Sequence, residues 1–344
     1  MTRSRGYHSY RGRTPKWKAA LAVVLVLVIL GAVGFMVLQE HIVYDGTGTP
    51  HLRLPQQETE DTGNAPEEEE SVEVVIQEPE GPQEIHAFSL PAQALTQQTV
   101  ETALAQPQAE CNAVAVTLKD DAGLVYFDAA GAVSGTVRTE EDTTAALATL
   151  TGQEDLYTVA RISCFHDPKA ANAEVESMGL KNTGGYIFYD GNNSQWLDPA
   201  KPEARQYLTG IIREAAELGF DEILLTDVSY PTEGKLNKIA YGEVDRQAQL
   251  GEFLAEVRLA LEGCDVTLSV ELPETAVLNG SEENSGASLA QFALHVDRLY
   301  AVTASDRTTA LSALTAAAEG TPDFVAELSA YDSQVKGSWL LLAS

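Results

Sequence analysis

The chain has 344 residues, enough for one large domain with appended segments. Acidic residues outnumber basic ones by 51 to 22, and a negative charge this large argues against a nucleic-acid partner. Three cysteines without paired spacing argue against a disulfide framework or a zinc site.

The N-terminal segment is typical of a membrane anchor. A basic tail, residues 1–18, precedes the uncharged stretch Ala19–Leu38. A run of about 20 apolar residues spans the hydrocarbon core, and positive charges before it stay in the cytoplasm. The sequence therefore predicts one transmembrane helix with the remainder of the chain outside. A cleaved signal peptide is the alternative, but its apolar region is usually only about 7–15 residues long.

Residues 39–83 are predicted to be a disordered linker. Proline, glutamate, glutamine, threonine and glycine dominate them, and Glu67–Glu70 is an unbroken acidic run. Such a composition buries too little apolar surface to offset the entropy of ordering the chain. We interpret the segment as a solvated spacer that holds the following domain away from the membrane.

The domain at residues 84–344 alternates strands with helices. Helical patterns occur at Thr96–Ala105, Glu140–Leu150, Pro202–Leu218, Val244–Leu261, Ser288–His295 and Thr308–Ala318. The predicted strands are Ile85–Ser89, Ala113–Leu118, Tyr157–Cys164, Glu222–Thr226, Val266–Val270, Arg298–Val302, Phe324–Leu328 and Ser338–Leu342. Eight strands in about 250 residues predict an α/β fold, a (β/α)8 TIM-type barrel. The connection between the last two strands is too short for a full helix, and no helix follows the eighth strand. These two features leave open an incomplete barrel or, alternatively, an open doubly wound sheet.

The stretch Trp196–Pro231 shows how such a fold builds a site. An amphipathic helix ends at Gly219, and the apolar strand Glu222–Thr226 follows. Asp227 and Tyr230 come directly after the strand. Polar groups at the carboxyl ends of parallel strands are where α/β folds place their sites.

Four motifs, in this order, resemble a known family: Asn112–Gly123 (NAVAVTLKDDAG), Ala160–Pro168 (ARISCFHDP), Trp196–Pro199 (WLDP) and Phe220–Ile223 (FDEI). The chain resembles the bacterial putative glycosyl hydrolase family of unknown function, a TIM-barrel group remote from characterised glycosidases. The resemblance covers most of the region after the linker. It implies hydrolysis of O-glycosyl bonds at the barrel mouth.

The chain departs from the family pattern at two acidic positions. Thr117 and Thr226 stand where the pattern has acids, and Asp227 lies one residue after the second of them. Because a shift of one residue turns a side chain to the opposite face of a strand, Asp227 reaches the mouth only if the strand has ended or bulged there. Such departures are typical of a catalytic site that is degenerating.

Hydrolysis of a glycosidic bond requires two carboxyl groups, one protonated and one ionised. Acidic residues at predicted strand ends are Asp120, Asp121, Asp227, Glu271 and Glu327. We predict Asp227 as the nucleophile and Glu271 or Glu327 as the acid, with Asp120 and Asp121 contacting substrate. In a chain with 51 acidic residues, some also lie near strand ends by chance.

Arg161 lies inside an apolar strand and needs a carboxylate partner, for which we predict Asp121 or Asp227. It either orients a sugar or forms an ion pair in the barrel core.

Four further residues, His166, Asp167, Trp196 and Tyr230, are predicted to contact substrate. The alternatives are an exposed histidine, a turn formed by Asp167 and Pro168, and aromatic rings that cap the barrel. No metal or cofactor is predicted, because the sequence contains no P-loop, no GxGxxG after a strand and no HExxH motif.

The sequence thus predicts a membrane-anchored, extracytoplasmic protein resembling a glycoside hydrolase. Its expected ligand is a cell-envelope or environmental polysaccharide, peptidoglycan included. The alternative is a catalytically degenerate carbohydrate-binding barrel or an envelope scaffold.

Overall fold

The computed structural model describes residues 42–44, 50–52, 84–105 and 111–343, in two compact units divided after residue 76. In the first unit, strand β1 (Ile42–Tyr44) pairs antiparallel with strand β2 (Pro50–Leu52), inside the predicted linker. The rest of that linker, the basic tail and the predicted anchor Ala19–Leu38 lie outside the described residues. Within the described ranges, no helix is long and apolar enough to cross a bilayer.

The second unit is a closed barrel of eight parallel strands. The last strand pairs with the first, with Trp339 opposite His86, so the predicted barrel is confirmed and the open sheet is excluded. All eight predicted strands are present, with ends shifted by at most one residue. They are β3 (His86–Ser89), β4 (Ala113–Lys119), β5 (Tyr157–Ser163), β6 (Glu222–Thr226), β7 (Thr267–Glu271), β10 (Arg298–Val302), β11 (Asp323–Leu328) and β12 (Ser338–Leu341).

Helices cover the outside of the barrel. The predicted ones form at α1 (Gln97–Ala105), α2 (Thr143–Thr151), α4 (Pro202–Ala216), α5 (Arg246–Ala260), α7 (Leu289–Ala293) and α8 (Thr308–Ala316). Two short helices, α3 (Pro168–Ala173) and α6 (Glu274–Asn279), and the two-residue strands β8 (Ser281–Glu282) and β9 (Ala287–Ser288) were not predicted. The described connection between β11 and β12 contains no helix, as its length indicated, yet the barrel closes.

Side chains alternate between two cores along each strand. Outward residues such as Leu118 and Ile162 pack against the helices. Inward residues form a smaller apolar layer that includes Ala115, Val159 and Leu224. Polar side chains lie above and below this layer, and the interior of the barrel is therefore filled rather than hollow.

A buried ion pair closes the amino-terminal end of the barrel. Arg298 on β10 donates to the Glu222 carboxylate on β6 at 2.6 Å, and Glu222 has no exposed side-chain surface. Tyr157 and Ser269 also donate to Glu222, at 3.0 and 2.5 Å. Since three other strands converge on this one carboxylate, Glu222 ties the strands together at that end.

We expect Glu222→Gln to lower the free energy of unfolding by about 3 kcal/mol, the lower part of the range for breaking a buried ion pair. The substitution removes the charge that faces Arg298 at 2.6 Å, while the half-exposed Asp323 at 3.9 Å compensates in part. Urea unfolding monitored by circular dichroism measures the change.

The matched control is Glu217→Gln, which breaks the exposed pair with Arg213 on the surface of α4. That variant should change stability by less than about 0.5 kcal/mol. Equal losses in the two variants would show that Glu222 does not hold the barrel.

Candidate active site at the barrel mouth

A cavity of about 270 Å³ opens at the carboxyl ends of strands β4 to β7. Its lining is almost entirely polar, and it brings together five of the residues predicted from the sequence. The lining residues are Ala92, Thr117, Lys119, Asp120, Asp121, Arg161, Ser163, Thr226, Asp227 and Glu271. The predicted site residues Glu327, His166, Asp167, Trp196 and Tyr230 lie outside this lining.

Asp227 reaches the cavity through an unusual backbone conformation. Strand β6 ends at Thr226, and Asp227 has a φ of 53°, in the left-handed region. Its Oδ2 atom accepts hydrogen bonds from Ser163 at 2.7 Å and from Thr226 at 3.4 Å. Strand β6 has therefore ended before Asp227, which is the condition under which this aspartate can face the barrel mouth.

Arg161 lies in the cavity wall between two carboxyl groups. It pairs with Glu271 at 3.2 Å and with Glu327 at 3.4 Å. The prediction of Asp121 or Asp227 as its partner was wrong, because the guanidinium reaches across the barrel interior to β7 and β11. Arg161 therefore forms the predicted ion pair in the barrel core and also lines the cavity.

Burial differs between the two glutamates. The Glu271 side chain is 28% exposed and borders the cavity, whereas Glu327 is fully buried. Burial, and then the charge of Glu327, raise the pKa of Glu271 to about 8, although Arg161 opposes the rise. Burial likewise raises the pKa of Glu327. Glu271 is thus protonated at neutral pH and accessible, and of the two predicted acids only Glu271 meets both requirements for proton donation.

Lys119 is a cavity residue that the sequence interpretation missed. Its ammonium group is completely buried, pairs with Asp167 at 3.0 Å and donates to the Ser163 carbonyl at 2.8 Å. Asp167 is equally buried and also accepts from the backbone of Ala170 at the start of α3. Asp167 therefore neutralises Lys119 and caps a helix, and it lies outside the cavity at which we predicted it to contact substrate. A lysine at the end of an apolar strand was the available signal, because a buried charge requires a partner.

The two adjacent aspartates have different roles. Asp120 lines the cavity, but its carboxylate accepts from the Leu124 backbone at 2.8 Å and from the Tyr126 hydroxyl at 2.7 Å. It therefore holds the turn that follows β4. Asp121 is exposed at the edge of the cavity, where it is free to meet a ligand.

The predicted aromatic contacts lie outside the cavity. His166 stacks on Trp196 with ring centroids 4.4 Å apart, and the Trp196 indole donates to Asp190 at 2.9 Å. Tyr230 is 1% exposed and packs edge-on against Tyr241. Both Trp196 and Tyr230 belong to the outer core, as in the capping alternative, and neither is among the cavity residues. His166 is half-buried and hydrogen-bonds to Ser194 at 2.8 Å.

We expect Asp227→Gly to be more stable than Asp227→Ala by about 1 kcal/mol. Both variants lose the bonds to Ser163 and Thr226, but only alanine is strained at a φ of 53°. Thermal and urea unfolding of the two variants give the difference. At Glu217, where φ is −68°, the order should reverse because glycine is the poorer residue in helical backbone. Alanine as stable as glycine at position 227 would contradict the left-handed conformation.

Comparison with known proteins identifies the family of this chain. No curated protein matches the chain. Among solved structures, a hypothetical protein from Ruminiclostridium thermocellum is 28% identical, with a TM-score of 0.43 over 52% of this chain and 96% of that one. The PgaB (BpsB) glycoside hydrolase domain from Bordetella bronchiseptica is 16% identical, with a TM-score of 0.48 over 72% and 84%. A chitinase from Chromobacterium violaceum is 13% identical, with a TM-score of 0.39 over 71% and 68%. A family described as "Putative glycosyl hydrolase domain" matches residues 87–303, more than half of the sequence, and the chain belongs to that family.

Proposed function

We propose that the protein is a glycoside hydrolase that cleaves a cell-envelope or environmental polysaccharide at the barrel mouth. The observation that supports this proposal best is a pair of carboxyl groups in one cavity with different environments. Burial raises the pKa of Glu271 to about 8, whereas Asp227 accepts hydrogen bonds from two hydroxyl groups. Carboxyl groups in contrasting environments divide the acid and base roles of glycoside hydrolysis between them.

Glu271 acts as the general acid in this proposal. It donates its proton to the leaving glycosidic oxygen, and Arg161 at 3.2 Å stabilises the carboxylate that remains. Asp227 acts as the nucleophile or as the base that activates water, and the separation of the two carboxyl groups in the substrate complex decides between these mechanisms. Ser163 and Lys119 are positioning residues, because Ser163 donates to Asp227 and Lys119 holds the Ser163 carbonyl.

We expect Glu271→Gln and Asp227→Asn each to lower kcat about 100-fold to 10,000-fold, the usual size of a general acid–base contribution. Release of reducing ends from purified cell-envelope polysaccharide measures the rate. In the wild type, activity should fall above about pH 8, because the proton on Glu271 is lost as the pH rises through its raised pKa. The fall should be about tenfold per pH unit.

Glu217→Gln, on the far side of the barrel, is the control and should retain wild-type activity. Unchanged hydrolysis in Glu271→Gln, or a rate that keeps rising well above pH 8, would remove Glu271 from the proposed role.

A carbohydrate-binding barrel without catalysis is the second candidate. It is favoured by Thr117 and Thr226, which line the cavity where the family pattern has acids. If this candidate holds, the wild type releases no reducing ends from any polysaccharide but is still retained on it. Thr226→Asp would then be the first substitution to try for restoring a second acid at the patterned position.

We also propose that Ala19–Leu38 anchors the protein in the cell membrane with residues 39–344 outside the cytoplasm. The uncharged segment and the basic tail before it support this arrangement. The chain should sediment with membranes after an alkaline carbonate wash, and protease added to intact spheroplasts should digest the barrel. Deletion of residues 19–38 should release the protein from the membrane. A barrel protected from external protease would reverse the proposed orientation, and a soluble full-length chain would exclude the anchor.

A further inference from the structure

The cavity at the mouth, which we call the mouth cavity, holds only a small part of a polysaccharide. Its volume of about 270 Å³ lies just below the usual range for small-molecule pockets. None of its described lining residues is aromatic, so the apolar face of a sugar ring finds nothing there to stack on. The remaining units of a bound chain therefore have to lie on other parts of the barrel rim.

Three further cavities continue along the rim from the mouth cavity. The loop after β3 lines the mouth cavity through Ala92, and it lines a second cavity, of about 420 Å³, through Leu90 and Gln93. A third cavity, of about 240 Å³, shares Phe88 and Ser89 with the second. A fourth, of about 520 Å³, shares two residues with the third. Neighbouring cavities thus share walls from β10, past β11, β12 and β3, to the mouth cavity at β4 to β7.

The fourth cavity carries an accessible aromatic ring. It is lined by residues 303–305 after β10 and by residues 328–333 at the end of β11. Tyr331 is among them and is 46% exposed, while its ring centroid lies 5.5 Å from that of the buried Trp339. The barrel wall therefore supports the Tyr331 ring on one side, and a large part of this residue is accessible to a ligand.

Two more exposed tyrosines lie on the opposite rim. Tyr186 is 76% exposed and Tyr189 is 47% exposed, and both belong to the long connection that follows β5. Counted from β3, strands β5 and β11 are the third and the seventh of the eight in the ring, so they face each other across the barrel. In residues 84–105 and 111–343, Tyr186, Tyr189 and Tyr331 are the most exposed phenylalanine, tyrosine or tryptophan residues. All three therefore belong to connections that start at the carboxyl end of a strand, where the mouth lies.

A hydrogen-bonded hairpin holds Tyr186 in place. The Phe188 N–H donates to the Leu180 carbonyl at 2.8 Å, and the Asn182 N–H donates to the Tyr186 carbonyl at 2.7 Å. Asn182 also forms an antiparallel bridge with Ile239, in the connection that follows β6. Because this backbone is already ordered, Tyr186 loses little conformational entropy when a ligand binds to its ring.

We infer that the mouth binds an extended polysaccharide chain from rim to rim. One sugar unit occupies the mouth cavity, and units on either side of it rest on the exposed tyrosines. This inference rests on the proposed function for its assignment of a sugar ligand. A linear chain fits because the accessible rings lie on opposite rims and because the cavities from β10 to β3 continue to the mouth cavity. A tyrosine ring offers an apolar face to any pyranose, so these outer contacts recognise the length of the chain rather than a particular substituent.

The test measures binding against chain length in the full chain carrying Asp227→Asn, which keeps the ligand intact while asparagine tolerates the left-handed backbone. Disaccharides, tetrasaccharides and hexasaccharides of β-1,4-linked glucose, N-acetylglucosamine and mannose are titrated calorimetrically in a neutral detergent. In at least one series we expect the hexasaccharide to bind about tenfold more tightly than the disaccharide. Only the longer chain reaches the tyrosines beyond the mouth cavity, and one aromatic contact contributes about twofold to tenfold in affinity.

Substitutions on the two rims test the same inference separately. Tyr186→Ala and Tyr331→Ala should each weaken hexasaccharide binding about twofold to tenfold and leave disaccharide binding unchanged. Tyr186→Phe keeps the ring and should keep the hexasaccharide affinity. Leu259→Ala is the control, because Leu259 is 64% exposed in the last turn of α5, at the amino-terminal end of the barrel.

Equal affinities for the disaccharide and the hexasaccharide in every series would overturn the inference. So would the absence of binding in all three series, or full hexasaccharide affinity in both alanine variants.

Hydrolysis by the wild type is measured separately, so the two proposals fail independently. Binding that depends on chain length and on the tyrosines, without cleavage of any polysaccharide, keeps the inference and removes the hydrolase. Release of single terminal sugars by a protein that binds the disaccharide and the hexasaccharide equally does the reverse.

Discussion

Buried charge is the constraint on which the rest of this barrel depends. Arg161 occupies an inward position of β5, where an unpaired guanidinium would cost several kcal/mol. Glu271 and Glu327 pair with it from β7 and β11. At the other end Glu222 and Arg298 form a second buried pair. The interior is thus apolar in its middle layer and ionic at both ends, and each ionic layer joins strands that are far apart in the sequence.

Burial of the ionic layer at the barrel mouth costs free energy, and it also shifts the pKa of the acid in that layer. A carboxyl group next to Glu327 and partly out of water holds its proton, which is why the pKa of Glu271 rises to about 8. Arg161 limits that rise and remains at hand for the carboxylate formed when the proton leaves. Arg161 therefore has two roles: it is the cation of the core ion pair, and it adjusts the pKa of Glu271.

Most of the fold could be predicted from the sequence because strands buried on both faces are almost continuously apolar. The eight strands and six of the helices follow from that signal and from helical periodicity. The partners of Arg161 could not be predicted, since a pairing across the barrel depends on the stagger of strands rather than on their order. Asp167 and Lys119 show the same limit: the lysine at the end of an apolar strand signals that a partner is needed, but only closure of the barrel brings Asp167 to 3.0 Å from it. The positions of Trp196 and Tyr230 in the outer core could not be predicted, because an aromatic ring in a loop has the same sequence pattern in a cap and in a sugar subsite.

The displaced acid on β6 bears most directly on whether the site has degenerated. If Thr226 had simply replaced a catalytic acid, the next residue would point outward into the layer of helices, as Leu225 does. Instead the backbone at Asp227 adopts a left-handed conformation, which few residues other than glycine, asparagine and aspartate take, and the carboxylate turns back to the cavity. Ser163 meets it there at 2.7 Å, and the buried Lys119 holds Ser163. The left-handed backbone and the two supporting residues hold the Asp227 carboxylate at the mouth. This arrangement favours retention of an acid at the mouth over its loss.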